Sequence, residues 1–477
     1  MESSNSKPHV VLVASPGVGH LVRVLELSNR LAVNQNLHVT TFIVVESHST
    51  ATATATATTT GESQLVQSAK ARRLKNQDII ELPPVTHNTN APIFTRLGAL
   101  MHEILPTVRS SISALKHNPT ALVVDIFGTP LLEVADQFHM LKYVFVSSTW
   151  SNALLLYFPV LDKEAQRVEL GELKEPIKMP GCKPIRPDDL LDAMMDRTKS
   201  DYKMLLQIGL KMRNSDGILV NSWEELDATT LKALREEEGY GKVPVYSVGP
   251  VTRPFDNDHG HGHDHPLLHW LDEQPAESVL YISFGSLGVL SPQQIIELAC
   301  GLEQSQQRFI WVLRTPRNCT STMEGLDYLP DGFLDRTQKV GQVFTKWAPQ
   351  SDILAHGSIG GFLTHCGWNS SLESILNGVP MIAWPLFAEQ KMNATQLAED
   401  YGVAVRPKVA PSKEIVGKEE IEMMASNVME GNGKAMRARV KELKKSGEKA
   451  LAEGGSTFNT LSQLANQFQL NCQRQKG

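Results

Sequence analysis

The strongest constraint on the fold of this chain is a repeated alternation of short apolar runs with helix-length stretches. The first run, His9-Val-Val-Leu-Val-Ala14, is β-branched and does not alternate polar with apolar. That is the pattern of a strand covered on both faces in a parallel sheet. Ser15-Pro16-Gly17-Val18-Gly19 follows as a turn, and Leu21, Val24, Leu25, Ser28 and Leu31 then fall at helical spacing on one mostly apolar stripe. Strand, glycine turn and helix open a doubly wound α/β domain. Buried-strand patterns recur at 37–45, 79–82, 121–124, 143–146, 217–220 and 245–248, enough for one parallel sheet.

A single core rarely grows past about 250–300 residues, so 477 residues argue for more than one domain. Residues 251–266 break the pattern with two prolines, two glycines and four histidines and read as a linker. A second α/β series starts at Ser278-Val-Leu-Tyr-Ile-Ser283. Ser291, Pro292 and Gln294 form a helix-start signature. Strand patterns follow at 309–313, 360–363, 381–383 and 403–405, then helical stretches at 418–452 and 456–470. The expected organisation is an N-terminal domain over 1–250, the linker 251–266, a C-terminal domain over 267–455, and a tail, 456–477, packing back on the first domain. The Thr/Ala alternation at 50–60 has no large apolar face and is expected to be a flexible loop. The His-Gly run at 259–265 offers no closed ligand geometry and reads as solvated linker.

The formal net charge of −6 gives no general attraction to phosphate backbones or anionic lipid, which argues against a nucleic-acid partner. Five widely spaced cysteines with no CxxC pair suit a reducing compartment. The first apolar stretch, 10–14, is too short for a signal peptide or membrane span. A cytoplasmic, monomeric protein is expected.

The chemistry is concentrated around His365-Cys-Gly-Trp-Asn-Ser-Ser-Leu-Glu373. A strand at 360–364, a tight turn at 365–367 and a helix starting at Trp368 place Asn369 and Ser370 in a first helical turn, where N–H groups and small hydroxyls make an anion site. Glu373 lies one turn on, along the same face. A carboxylate there suits a ribose diol beside a phosphate, so a nucleotide is the expected ligand. Read alone, the short stretch is also compatible with a helix merely capped by Asn and Ser.

The wider block, from Trp347-Ala-Pro-Gln350 to Trp384-Pro-Leu-Phe-Ala-Glu-Gln390, resembles the signature box of plant family-1 UDP-glycosyltransferases. Pro16-Gly17-Val18-Gly19-His20, Asn221-Ser-Trp-Glu-Glu-Leu226 and Ser283-Phe-Gly-Ser286 agree in order and spacing. The resemblance covers essentially the whole chain and implies a GT-B fold, two Rossmann-like parallel-sheet α/β domains facing across a cleft. It further implies that Trp347 stacks on uracil, the backbone of Ala348 reads its edge, and Gln350 and Glu373 hold the ribose. His365, Asn369, Ser370 and Ser286 would contact the diphosphate. Trp368, Glu389 and Gln390 would reach the sugar, with UDP-glucose as the implied donor and no separate cofactor.

His20 stands at the start of the first helix and Asp125 ends an apolar strand, both at carboxyl ends of strands where open α/β sheets place ligands. Together they suit a base oriented by a carboxylate, although Asp125 could also be a plain helix cap. The resembled family has its catalytic histidine and activating aspartate at these positions. The implied reaction is inverting transfer of glucose to a small phenolic or flavonoid acceptor, O-glucosylation being favoured and C-glucosylation the alternative. Ile93, Phe127, Trp150 and Phe387 are the acceptor-pocket candidates. Asp256-Asn-Asp258 matches the letters of a metal-binding Asp-x-Asp but sits in the linker, so no metal is expected. Two rivals are weaker. A dehydrogenase would use Gly17-Val-Gly19 and Glu46 but has Val22 where its third glycine belongs. A non-catalytic nucleotide-sugar binder would have no use for His20 and Asp125.

Overall fold

The computed structural model describes residues 7–47, 53–72, 74–86, 91–164, 169–252, 265–316, 325–431 and 433–475. The chain divides into two compact units, residues 1–252 with 449–477, and residues 253–448. The histidines at 259–263 and the Asp-Asn-Asp stretch lie outside the described residues. His265 caps the helix Pro266–Asp272, its ring accepting a hydrogen bond from the Leu267 N–H at 3.2 Å.

The sheet of the first unit contains β1 (His9–Ala14), β2 (His38–Ile43), β3 (Gln77–Glu81), β4 (Ala121–Asp125), β5 (Leu141–Val146), β6 (Gly217–Val220) and β7 (Val245–Ser247). They lie in the order β3-β2-β1-β4-β5-β6-β7, all parallel. Every residue of β1, β4 and β6 is buried, which is why those runs carry no polar alternation. The strand order changes direction between β1 and β4. Connections leave the carboxyl ends of these two neighbours on opposite sides, opening a crevice there. Helix α1 (Val18–Asn34) starts at that crevice and buries Leu21, Val24, Leu25, Ser28 and Leu31.

Residues 53–60 are helical, not a flexible loop: they form the first part of α2 (Ala53–Ala71). The second part of this helix explains the difference. Val66 and Ala69 are buried in the first unit's core, with Leu65 packed against it. Tertiary burial of that face, combined with alanine's high helix propensity, outweighs the threonines.

The second unit repeats the arrangement with β8 (Val279–Ser283), β9 (Arg308–Val312), β10 (Gly341–Phe344), β11 (Ile359–Thr364), β12 (Met381–Ala383) and β13 (Ala404–Val405). Their order is β10-β9-β8-β11-β12-β13, again parallel, with the direction change between β8 and β11. Strand β10 has no signature in the sequence because it is a short, half-buried edge that includes a glycine. The helical stretch expected over 418–452 is two helices, Lys418–Met429 and Gly433–Leu451. Gly433 permits the break, since a Cβ there would overlap the carbonyl oxygen of Val428.

The C-terminal helix Ser456–Arg474 belongs to the first unit and buries Leu461, Leu464 and Phe468 in its core. The Tyr143 hydroxyl donates to Oε1 of Gln467 at 2.8 Å. No helix among the described residues is long and apolar enough to cross a membrane.

Candidate active site

In the first unit, both residues singled out for proton transfer lie at the β1/β4 crevice. His20 Nδ1 is 3.1 Å from Oδ2 of Asp125. Gly17 makes the approach possible: its φ of 117° is open to glycine, and a Cβ there would come within 3.2 Å of the His20 ring. Asp125 is buried, and the surrounding chain converges on it. The Ser15 hydroxyl donates to Oδ1 at 2.6 Å and the Ser15 N–H to Oδ2 at 3.1 Å. The N–H groups of Phe127 and Gly128 donate to Oδ1, each at 3.1 Å. Burial alone would push this carboxyl up. The charge and hydrogen bond of His20, with the donors from Ser15 and Gly128, hold it below the usual carboxylate range.

An ionised carboxylate only accepts hydrogen bonds, so Nδ1 of His20 directs its proton to Asp125, and in the neutral ring the lone pair falls on Nε2. Arg23 Nη2 also lies 3.3 Å from Nδ1, while its Nε donates to Gly19 O at 2.9 Å. A guanidinium has no lone pair. It therefore flanks the Nδ1–H rather than competing for its proton.

The nucleotide candidates gather at the β8/β11 crevice of the second unit. After β11, His365 leads into Cys366, which holds a φ of 63°, a strained value for a side-chain-bearing residue. Asn393 fixes the turn by donating to Cys366 O at 2.9 Å. Helix α3 (Trp368–Asn377) then starts from Gly367, whose lack of a side chain leaves no cap over the first-turn N–H groups. The loop after β8 closes on the same point: Gly285 has a φ of 73°, and a Cβ on it would sit 2.5 Å from Cε1 of His365. Burial, then the nearby charge of Arg314, lowers the His365 pKa to about 4, so the ring is neutral. Its Nδ1 is closed to solvent and has no partner among the described residues.

Gln350 Nε2 donates to Ser370 Oγ at 2.9 Å and to Glu373 Oε2 at 2.7 Å, joining three of the expected contacts into one network. Trp347 is 50% exposed, a flat apolar face open for stacking, and Ala348 beside it is buried. Ser286 is half-buried in the β8 loop. Trp368 is buried, so its indole presents little surface to a sugar. Gln390 opens α4 (Gln390–Thr395), and its Oε1 accepts from the N–H groups of Leu386 and Phe387 at 2.9 and 3.0 Å. Glu389 and Phe387 are half-buried in that same loop.

Among the acceptor candidates, Phe127 lies edge-to-face with His20, ring centroids 5.3 Å apart. Ile93 is exposed at the start of the helix Ile93–Glu103. Trp150 is fully buried. It is a core residue and not a pocket wall, because residues 149–156 of the helix Thr149–Glu164 are buried all round. Sequence reasoning missed Ser15 and Asn393, and within the stretch 88–97, expected to line the pocket, it picked out Ile93 and not Phe94. Phe94 stacks at a tilt on Phe127 with centroids 5.7 Å apart. No local pattern marks these three, which matter only through partners distant in sequence. Glu46, the acid a dehydrogenase would need, faces Arg96 Nη1 at 3.5 Å. Among the described residues, no group of three His, Cys, Asp or Glu is placed to hold a metal ion.

Two Rossmann-like units, one with a histidine–aspartate pair at its crevice and the other with a helix-start anion site beside a ribose-type carboxylate, define a glycosyltransferase of the GT-B fold. Comparison with known proteins gives the family. Residues 257–431 match the family model described as UDP-glucoronosyl and UDP-glucosyl transferase. The chain is 48% identical to anthocyanidin 3-O-glucosyltransferase 5 of Manihot esculenta, over 99% of this chain and 98% of that one. It is 41% identical to hydroquinone glucosyltransferase of Rauvolfia serpentina, over 96% and 97%. The crystal structure of TcCGT1 in complex with UDP aligns with a TM-score of 0.88 at 44% identity, covering 98% of this chain and all of that one. The chain belongs to the plant family-1 UDP-glycosyltransferases.

Proposed function

We propose that this enzyme transfers glucose from UDP-glucose to a hydroxyl group of a small phenolic or flavonoid acceptor, with inversion and without a metal ion. The observation that carries the reading is the 3.1 Å contact between His20 Nδ1 and the buried, ionised Asp125. The pair leaves Nε2 as a base for a phenol, whose ordinary pKa is about 10. The phenolic proton passes to Nε2 as the oxygen attacks the anomeric carbon, and the bond from that carbon to the diphosphate oxygen breaks with its electron pair leaving on UDP. Asp125 stabilises the imidazolium so formed. The N-terminus of α3 and the neutral His365 support departure of the diphosphate. Attack opposite the leaving group turns an α-linked donor into a β-glucoside.

The relatives named for anthocyanidin and hydroquinone support an aromatic acceptor, as do Phe127 beside His20 and Phe94 against Phe127. The test is incubation with UDP-glucose and a phenolic panel, with and without excess chelator, followed by acid hydrolysis of the product. An acid-labile glucoside formed equally with chelator is expected. An acid-stable product would mean attack by the ring carbon, and loss of activity with chelator would refute metal independence.

A further inference from the structure

We propose that Arg314 is a further ligand of the sugar nucleotide, supplying positive charge to its diphosphate. The inference rests on the reading of the second unit as the UDP-sugar site.

Arg314 follows β9 at its carboxyl end, where Leu313 N–H still donates to Phe344 O at 2.9 Å. Strand β9 pairs with β8, Ile282 opposite Trp311. Residues 311–314 form one wall of a small cavity whose other wall is Phe284 and Gly288–Leu290, the loop that carries Ser286. That loop is the one pressed against His365 through Gly285. Arg314, the β8 loop and His365 are therefore contiguous around one point on the sheet edge.

Among the described residues Arg314 has no counter-charge. It forms no hydrogen bond or ion pair with any described residue. Burial lowers its pKa, and its charge partner is the phenol of Tyr281, itself neutral because burial raises its pKa. A partly buried guanidinium without a carboxylate is costly. The cost is explained if an anion completes the site. The anion-binding groups already described fall short of that task. Neutral His365 offers no net charge, and a helix N-terminus offers roughly half an elementary charge. A guanidinium supplies a full charge and a fork of donors matched to phosphate oxygens.

The experiment measures binding of UDP and of uridine, which lacks the phosphates, to the full-length protein and to Arg314→Gln, Arg314→Lys and Arg314→Met, with thermal unfolding of each. UDP affinity should fall on the order of tenfold or more in the Gln and Met variants, uridine affinity should not change, and Lys should keep most of the UDP affinity. Removing an uncompensated charge should leave the ligand-free Tm unchanged or raised, so Met keeps the test open should Gln fold poorly. Unchanged UDP affinity in a folded variant would overturn the proposal, as would equal losses for UDP and uridine. A wild-type protein that binds neither would instead refute the reading of the site itself.

Discussion

His20 and Asp125 are joined across neighbouring strands of one sheet, Nδ1 to Oδ2 at 3.1 Å, with the carboxylate also held by Ser15, Phe127 and Gly128. The two residues should therefore fail differently. His20→Ala removes the base and one of the groups that stabilise ionised Asp125, so transfer should fall by about 10³-fold or more with a smaller loss of Tm than in Asp125→Ala. Asp125→Ala also strands buried donors and should cost roughly 3–5 kcal/mol of stability. UDP affinity should persist in His20→Ala, since the nucleotide candidates lie in the second unit. Steady-state kinetics, UDP titration and thermal melts check this, and full activity of His20→Ala would remove the base assignment.

Acid should weaken the fold from near-neutral pH downward. His9 is buried between His117 O and Thr40 Oγ1, at 3.1 and 2.9 Å, and burial lowers its pKa to about 4. Between an unfolded value near 6.5 and that folded value, the unfolded chain takes up a proton that the folded chain does not. Stability is then lost as pH falls from about 6.5 to 4, by on the order of 3 kcal/mol for this histidine. Asp125 adds its loss at still lower pH, because its folded pKa lies below the unfolded one. Denaturation midpoints from pH 7 to 4 should show the decline, to which His365 with its equally lowered pKa of about 4 also contributes, and His9→Gln should reduce its slope by about half. An equal slope in the variant would contradict the assignment.

Gln390 separates a structural oxygen from an amide nitrogen that has no hydrogen-bond partner among the described residues. Its Oε1 holds the Leu386 and Phe387 N–H groups. Gln390→Glu preserves that acceptor and removes the NH₂ donor expected to meet the sugar. Melting temperature should hold while kcat/KM for UDP-glucose drops about tenfold. Gln390→Leu should lower both. Unchanged donor kinetics in Gln390→Glu would remove this residue from the sugar site.

Truncation before Ser456 should unfold or aggregate the protein. Leu461, Leu464 and Phe468 are buried in the first unit, at roughly 1.5–3 kcal/mol each, a sum comparable to a typical net stability of about 5–15 kcal/mol. Solubility and melting of the truncated chain provide the check, and a truncated enzyme with unchanged Tm would show that the helix is dispensable.

Much of this protein was legible locally. The unalternating runs of β1, β4 and β8, the glycine turn before His20 and the helix start at Trp368 are set by neighbours a few residues away, and periodicity and turn chemistry read such features well. The block 347–390 likewise marked the nucleotide-binding half. Other features depended on partners far along the chain. The Thr/Ala run is helical because Val66 and Ala69 are buried, β10 exists because β9 offers it an edge, and Trp150 is core because the chain packs around its whole helix start.

The amino-acid sequence by itself determined the double α/β pattern, the family and the residue types at both crevices. Only the tertiary structure decided which of those residues meet. Strand order brings β1 beside β4 and β8 beside β11, so Asp125 is held by Ser15 and His20, and Gly285 meets His365. The physical reason is that hydrogen bonds and buried charge depend on distance in space, and parallel sheets make neighbours of segments separated by a hundred residues or so.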